Sequence, residues 1–102
     1  MKGTGCNFID ELESIIENRA ESNDPDKSYT RDLLASGSDR IAKKVIEASG
    51  ELAVAYLNKK TNKDEIIWEA ADLLYHMMVL LHSADVKMED ISSELKKRNE
   101  SE

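Results

Sequence analysis

Two pairs of carboxylate side chains stand at helical spacing in neighbouring apolar segments of the chain. Glu47 and Glu51 are four residues apart in one segment, and Glu69 and Asp72 are three apart in the next. Each spacing places both members of a pair on one face of a helix. The polar link at residues 58–64 can fold the segments together, which would bring four carboxylates into one place. Like charges in a partly dry space need neutralising, and hard oxygen ligands suit Mg²⁺, with Mn²⁺ as the alternative.

The same four carboxylates also have a simpler interpretation as ordinary surface charge. They could face solvent or pair with the neighbouring cations Lys43, Lys44 and Arg40, and exposed ion pairs of this kind are common and weakly stabilising. Against this interpretation, apolar residues flank Glu47 and Glu51 on both sides of the helix, which is not typical of a solvated face.

Three cations and one histidine are further candidates for the site. Lys43, Lys44 and Arg19 could contact phosphate groups, although lysines beside acidic groups also serve as solvated counter-charges. His76 lies one turn beyond Asp72 and is either a ligand or base, or a packing histidine hydrogen-bonded to Asp72. No local Ser/His/Asp or Cys/His pattern indicates covalent catalysis.

The length and composition predict one small all-α domain. The 102 residues are charged at 34% of positions and hydrophobic at 40%, with 5% aromatics and one proline, which disfavours a β-sandwich. We expect residues 1–102 to form a single domain with flexible ends at 1–6 and 99–102. A short chain with long apolar helices buries little surface alone, so a homo-oligomer is also expected.

The charge balance limits the classes of partner. A net charge of −7 argues against nucleic acid or an anionic membrane as partner, because both need a basic face. An acidic protein can bind a polyphosphate nucleotide if a divalent cation lies between the two. Cys6 is the single cysteine, so the chain cannot form an internal disulfide, which is typical of a reducing compartment. The sequence also shows no apolar leader and no segment of membrane-spanning length. The expected location is therefore the cytoplasm.

Apolar periodicity and capping residues predict five helices. Asn7 is the expected N-cap of the first helix, Ser28 to Thr30 open a short second helix, and Ser38 or Asp39 caps the third. The predicted ranges are 7–21, 28–34, 39–58, 63–84 and 88–98, with a loop at residues 22–26. The fourth helix is apolar around most of its circumference, which predicts a central helix packed on several sides.

Four pieces of the chain, taken together, resemble the phosphoribosyl-ATP pyrophosphatase family. The resemblance extends from about Phe8 to Arg98, and its most specific parts are the Ser-Tyr-Thr piece at 28–30 and the Asp-Leu-Leu-Tyr-His piece at 72–76. The four pieces are residues 25–34, 37–44, 45–51 and 69–76, and the closing residues 89–98 are similar as well.

The resemblance implies an all-α, MazG-like nucleoside triphosphate pyrophosphatase protomer of four or five helices, assembled as a helical-bundle dimer or larger. It implies Mg²⁺-dependent cleavage of phosphoribosyl-ATP between the α and β phosphates, the second step of histidine biosynthesis. Carried over to this chain, Glu47, Glu51, Glu69 and Asp72 are the expected metal ligands. Glu47 is in addition the expected group that orients or deprotonates the attacking water.

The chain departs from the family pattern at one position, where Ala48 replaces the second of two adjacent glutamates. In the wider superfamily that position supplies a metal ligand. Two alternatives therefore stand beside the leading prediction: a house-cleaning pyrophosphatase of the same fold acting on another nucleotide, or a helical dimer with weakened or lost catalysis.

Overall fold

The computed structural model describes residues 5–22 and 28–102, and all regular secondary structure in these two ranges is α-helical. The all-α prediction is confirmed. The described helices are α1 (Gly5–Glu21), α2 (Tyr29–Ala35), α3 (Ser38–Leu57), α4 (Lys63–Ser83) and α5 (Met88–Ser101).

The predicted helix ranges differ from the observed ones mainly at the two ends of the chain. Helix α1 begins at Gly5, so Asn7 lies inside the helix and its prediction as N-cap is wrong. No proline lies in residues 5–7, so the helix can begin before Phe8, the first apolar position of the predicted pattern. Residues 1–4 of the predicted lead-in and residues 23–26 of the predicted loop lie outside the described ranges. Helix α5 continues to Ser101, three residues past its predicted end.

The junction between α2 and α3 depends on one glycine. Helix α2 opens at residues 28–30 as predicted, and Ser28 caps it, since its side chain accepts a hydrogen bond from the Arg31 backbone N–H at 3.2 Å. Gly37 then follows α2 with φ +99°, a conformation that side chains rarely allow, and it is the residue that precedes α3. The predicted cap at Ser38 or Asp39 is therefore wrong, because α3 already begins at Ser38.

Helices α3 and α4 form an antiparallel hairpin with the most extensive interhelical packing in the described chain. Asn58 ends α3, and its side chain accepts a hydrogen bond from the Lys60 backbone N–H at 3.0 Å. Asn62 caps α4 by accepting from the Glu65 backbone N–H at 2.9 Å. Side-chain acceptors at these positions satisfy backbone donors that a helix or turn would otherwise leave free. The predicted fold-back of the two segments is thus observed.

The core lies where α1, α2 and α3 meet the C-terminal half of α4. It consists of the buried side chains of Ile16, Leu33, Ile41, Met78 and Val79. Two polar residues, Thr30 and His76, are also buried, and both have hydrogen-bond partners, as buried polar groups require.

Helix α5 is held at its start by two carboxylates of α1. Glu13 accepts a hydrogen bond from the Met88 backbone N–H at 2.7 Å, and Glu17 pairs with the Lys87 ammonium at 2.9 Å. The hydrogen bond and charge of Lys87 lower the pKa of the Glu17 carboxyl below its ordinary value of 4.5. Because Met88 also packs against the core, polar and apolar contacts together hold the first turn of α5.

The protomer leaves much apolar surface uncovered on α3 and α4. The prediction that α4 is packed on several sides is therefore only partly met within one protomer. A radius of gyration of 15.3 Å exceeds the roughly 13 Å expected of a compact chain of this length. The large apolar residues of these helices with more than half of their surface exposed are Ile46, 69%; Val54, 65%; Tyr56, 74%; Leu57, 72%; Ile67, 55%; and Trp68, 73%. In the part of the chain that the structure describes, no helix is long and apolar enough to cross a membrane.

Two glycines of the hairpin region allow a matched test of this fold. A β-carbon added at Gly50, in the middle of α3, meets no atom within 4 Å. We expect Gly50→Ala to raise the free energy of unfolding by about 0.5–1 kcal/mol, because alanine loses less backbone entropy in a helix. The measurement is urea unfolding followed by circular dichroism.

The control is Gly37→Ala, which also meets no neighbouring atom but forces alanine to φ +99°. We expect it to lower the free energy of unfolding by about 1 kcal/mol or more. Equal effects of the two substitutions would contradict the assignment of Gly37 as the conformationally required residue.

Candidate metal and substrate site

Three of the four predicted carboxylates converge between α3 and α4. One oxygen each of Glu51, Glu69 and Asp72 lies within 4.8 Å of the others. Glu51 is exposed, whereas Glu69 and Asp72 are half-buried. The antiparallel hairpin produces this convergence, because the C-terminal half of α3 faces the N-terminal half of α4. Three hard oxygen donors so close together are chemically suited to Mg²⁺ or Mn²⁺.

The fourth carboxylate, Glu47, stands one turn before Glu51 and is not among the three that converge. The Lys44 ammonium lies 3.9 Å from the Glu47 carboxylate, and both side chains are partly exposed. This is the pairing expected if Glu47 were ordinary surface charge, and an exposed pair of this length is weak. Arg40, the other cation considered for such pairing, instead contacts Asp32 at 3.2 Å.

Two clefts flank the carboxylates, and we call them the tyrosine cleft and the hairpin groove. The tyrosine cleft has a volume of about 400 Å³ and the hairpin groove about 600 Å³. Both volumes are in the range of small-molecule sites. The tyrosine cleft is lined by Tyr29, Lys44, Glu47, Ala48, Glu51, Asp72, Tyr75 and His76. The hairpin groove is lined by Ile46, Glu47, Gly50, Glu51, Val54, Ala55, Asn58, Thr61, Glu65 and Glu69.

The predicted phosphate-binding cations are not all at these clefts. Lys44 lines the tyrosine cleft beside Glu47. Lys43, the residue before Lys44, is exposed, and so is Arg19 near the end of α1. Neither residue lines either cleft. The structure thus brings Lys44 together with the carboxylates but leaves Lys43 and Arg19 apart from them.

His76 is a buried member of the cleft wall, with both ring nitrogens in hydrogen-bond contact. Its Nδ1 lies 2.9 Å from the main-chain oxygen of Asp72 and 3.6 Å from that residue's carboxylate. Its Nε2 lies 2.9 Å from the hydroxyl oxygen of Tyr29. The expected contact with Asp72 is therefore present, but the closer partner is the backbone carbonyl rather than the carboxylate.

Tyr29 and Tyr75 are members of the site that the spacing of the charged residues did not predict. Their rings stack at a centroid distance of 6.2 Å, and the His76 ring meets each of them edge-on. The Tyr75 hydroxyl is hydrogen-bonded to the buried Thr30. One signal was available: Tyr75 stands three residues after Asp72, which puts both on one face of α4.

Ala48 lines the tyrosine cleft and is only 2% exposed. It lies three residues before Glu51, so a side chain at position 48 shares a helical face with the carboxylate that joins Glu69 and Asp72. A longer side chain here would extend into the cleft wall, which makes the alanine a feature of the site itself.

Comparison with known proteins identifies a family for the chain. The family model of phosphoribosyl-ATP pyrophosphohydrolase matches residues 9–99. The phosphoribosyl-ATP pyrophosphatase of Clostridium novyi is 48% identical over 88% of this chain and 79% of its own length, and that of Pyrobaculum neutrophilum is 43% identical over 91% and 96%. The histidine biosynthesis bifunctional protein HisIE of Buchnera aphidicola is 46% identical over 92% of this chain and 42% of its own length.

The family match covers most of the chain. The single-function relatives align along most of their own length, whereas the bifunctional protein aligns along less than half of it. The residues that converge in the structure, Glu51, Glu69 and Asp72, all lie within the matched range. The chain belongs to the phosphoribosyl-ATP pyrophosphohydrolase family.

Proposed function

We propose that this chain hydrolyses phosphoribosyl-ATP to phosphoribosyl-AMP and pyrophosphate, as the second step of histidine biosynthesis. The observation that carries the proposal is the convergence of Glu51, Glu69 and Asp72 at a cleft, in a chain of this family. Water adds to the phosphorus at one side of the α–β anhydride bond, that bond breaks, and pyrophosphate leaves.

The same three carboxylates are the proposed ligands of Mg²⁺, or of Mn²⁺ in its place, with Glu47 as a further ligand candidate. A bound Mg²⁺ would neutralise charge on the phosphates and lower the pKa of the attacking water. The donor set supports a hard divalent cation, because it offers oxygen atoms alone and two of its three members are half-buried.

Glu47 and Lys44 have distinct proposed roles in the tyrosine cleft. Glu47 lies outside the close group of three, so its carboxylate is available to orient the water and accept its proton. Lys44, beside it, places a positive charge where the outer phosphates would lie. Lys43 and Arg19 are also proposed phosphate contacts, although neither lines the tyrosine cleft or the hairpin groove.

Replacing one ligand candidate tests the site assignment. We expect Asp72→Asn to lower the rate of pyrophosphate release from phosphoribosyl-ATP by about 100-fold or more, since it removes a negative donor and keeps the side-chain size. Removal of divalent cations with EDTA should abolish wild-type turnover, and added Mg²⁺ should restore it.

The matched control is Asp64→Asn, the same change in the first turn of the same helix at a residue that lines neither cleft. It should keep the wild-type rate within about twofold. Full activity in Asp72→Asn would show that the carboxylates are not the reaction site.

Position 48 separates the leading function from its alternatives. The specific observation in favour of weakened catalysis is that buried Ala48 occupies a cleft position where the family pattern has glutamate. If turnover is limited by a missing ligand, Ala48→Glu should raise pyrophosphate release and tighten Mn²⁺ binding measured by electron paramagnetic resonance, each by about tenfold or more.

The substrate panel for this comparison contains phosphoribosyl-ATP and ordinary and damaged nucleoside triphosphates. Preference for another triphosphate would favour a house-cleaning pyrophosphatase. No activity on any of them, in the natural chain and in Ala48→Glu alike, would favour a non-catalytic helical protein.

We further propose that the protein is a homodimer or larger assembly in which the exposed apolar residues of α3 and α4 are covered by a second copy. Trp68, the single tryptophan, is 73% exposed in the protomer and lies on the helix that is apolar on most sides. Analytical ultracentrifugation should show a dimer or larger for the natural chain, and Trp68→Glu should shift it toward the monomer.

Tryptophan fluorescence gives a second measurement of the same assembly, because Trp68 emission should shift to longer wavelength on dilution as the residue becomes hydrated. Ser92→Glu, which adds the same charge on exposed α5, is the control and should leave the assembly unchanged. A monomer at micromolar concentration would refute the proposed assembly.

A further inference from the structure

A hydrogen bond between Tyr29 and His76 joins α2 to α4 in the wall of the tyrosine cleft. The Tyr29 hydroxyl oxygen lies 2.9 Å from His76 Nε2, and the two rings meet edge-on at 84°. Tyr29 is 46% exposed and His76 only 7%. Both residues line the cleft, and Tyr29 is the member of the pair that is more accessible to a ligand there.

The second ring nitrogen of His76 fixes the direction of this hydrogen bond. Nδ1 lies 2.9 Å from the main-chain oxygen of Asp72. A carbonyl oxygen only accepts, so Nδ1 carries the hydrogen and donates it. In a neutral imidazole the other nitrogen is then an acceptor. With the His76 ring neutral, Nε2 therefore accepts and the Tyr29 hydroxyl donates its proton to it.

This direction determines what Tyr29 offers to a ligand. Its one proton is directed at His76, so its oxygen presents only lone pairs to the cleft. Burial is the largest influence on Tyr29 and raises the pKa of its hydroxyl, which keeps the proton in place. An oxygen that only accepts attracts an O–H group and disfavours an ionised phosphate oxygen, which also only accepts.

We propose that Tyr29 accepts a hydrogen bond from an O–H group of the reacting complex, and that His76 is a positioning residue that holds Tyr29 in this acceptor state. The O–H group is either a sugar hydroxyl of the nucleotide or the attacking water. The proposal rests on the proposed function for its ligand, whereas the direction of the Tyr29–His76 bond is a property of the protein alone.

The first experiment measures that direction without any substrate. In long-range proton–nitrogen correlation NMR of the full chain at pH 8.5, we expect His76 to carry its hydrogen on Nδ1. Signals of the tautomer protonated on Nε2 would overturn the proposal. This outcome is independent of turnover, so it separates failure of this inference from failure of the proposed function.

The second experiment removes the acceptor oxygen with Tyr29→Phe and measures steady-state kinetics with phosphoribosyl-ATP and Mg²⁺. We expect kcat/KM to fall about three- to tenfold, the loss typical of one neutral hydrogen bond. A rise in KM at unchanged kcat identifies a sugar hydroxyl as the donor, and a fall in kcat at unchanged KM identifies the water.

The control is Ser92→Ala, which removes a hydroxyl from an exposed residue of α5 that lines neither cleft. It should keep the wild-type constants. Wild-type kcat/KM in Tyr29→Phe, within the error of this control, would overturn the proposal.

The third experiment tests whether His76 acts through Tyr29. Glutamine at position 76 places an amide oxygen near Nε2 and can still accept from Tyr29, whereas asparagine keeps a donor near Nδ1 but does not reach Tyr29. We expect His76→Gln to retain more activity than His76→Asn. Circular dichroism of both variants verifies that they are folded.

The double variant Tyr29→Phe with His76→Asn completes the cycle. If His76 acts by orienting Tyr29, the double variant should be no slower than Tyr29→Phe by more than about twofold, because the group being oriented is already absent. Independent, multiplying losses would overturn the positioning role. A merely structural histidine would produce such independent losses and would not be rescued by glutamine.

Discussion

The antiparallel packing of α3 against α4 imposes the constraint on which the rest of the structure depends. It holds oxygen atoms of Glu51, Glu69 and Asp72 within 4.8 Å of one another. Like charges at this separation repel, so the packing of the hairpin must supply the stability that the site itself does not. The apolar residues of the core and the two asparagine caps of the hairpin loop provide that stability at a distance from the carboxylates. Function and stability are thus carried by different residues, because the core also draws on α1 and α2.

Helix α2 has a role larger than its seven residues suggest. Its residues Tyr29 and Thr30 form hydrogen bonds with two consecutive residues of α4. Tyr29 is bonded to His76, and Thr30 is bonded to Tyr75. Both contacts are polar and partly or fully buried, so they have specific geometry as well as stabilising energy. The short helix therefore closes one side of the tyrosine cleft and sets the chemical character of that side.

Much of the fold could be predicted from the sequence because apolar periodicity and polar linkers are local signals. The hairpin and the convergence of three carboxylates followed from spacing alone. Two expected caps were wrong for local reasons: α1 starts before Asn7, and Gly37 supplies the backbone conformation that a capping side chain was expected to supply. Spacing also could not show that Glu47 stays apart from the other three carboxylates, beside Lys44.

The contacts of Tyr29 and Thr30 could not be predicted in the same way, because they join residues more than 40 positions apart in the chain. Their existence depends on how α2 is oriented against α4, and no periodic pattern encodes that orientation. The resemblance to a known family did mark both segments, since the Ser-Tyr-Thr and Asp-Leu-Leu-Tyr-His pieces carry these residues. It pointed to the two segments but did not predict which of their atoms are in contact.

The single left-handed glycine between α2 and α3 has a mechanical consequence. Only Ser36 and Gly37 separate the two helices, so the connection between the helix that carries Tyr29 and the helix that carries Glu51 is very short. The short connection therefore limits how far α2 can turn independently of α3, which restricts the position of Tyr29 relative to Glu51. Extra residues in the Asn58–Asn62 loop would alter the end of the hairpin groove that Asn58 and Thr61 line, whereas one extra residue beside Gly37 would change how Tyr29 is placed relative to Glu51.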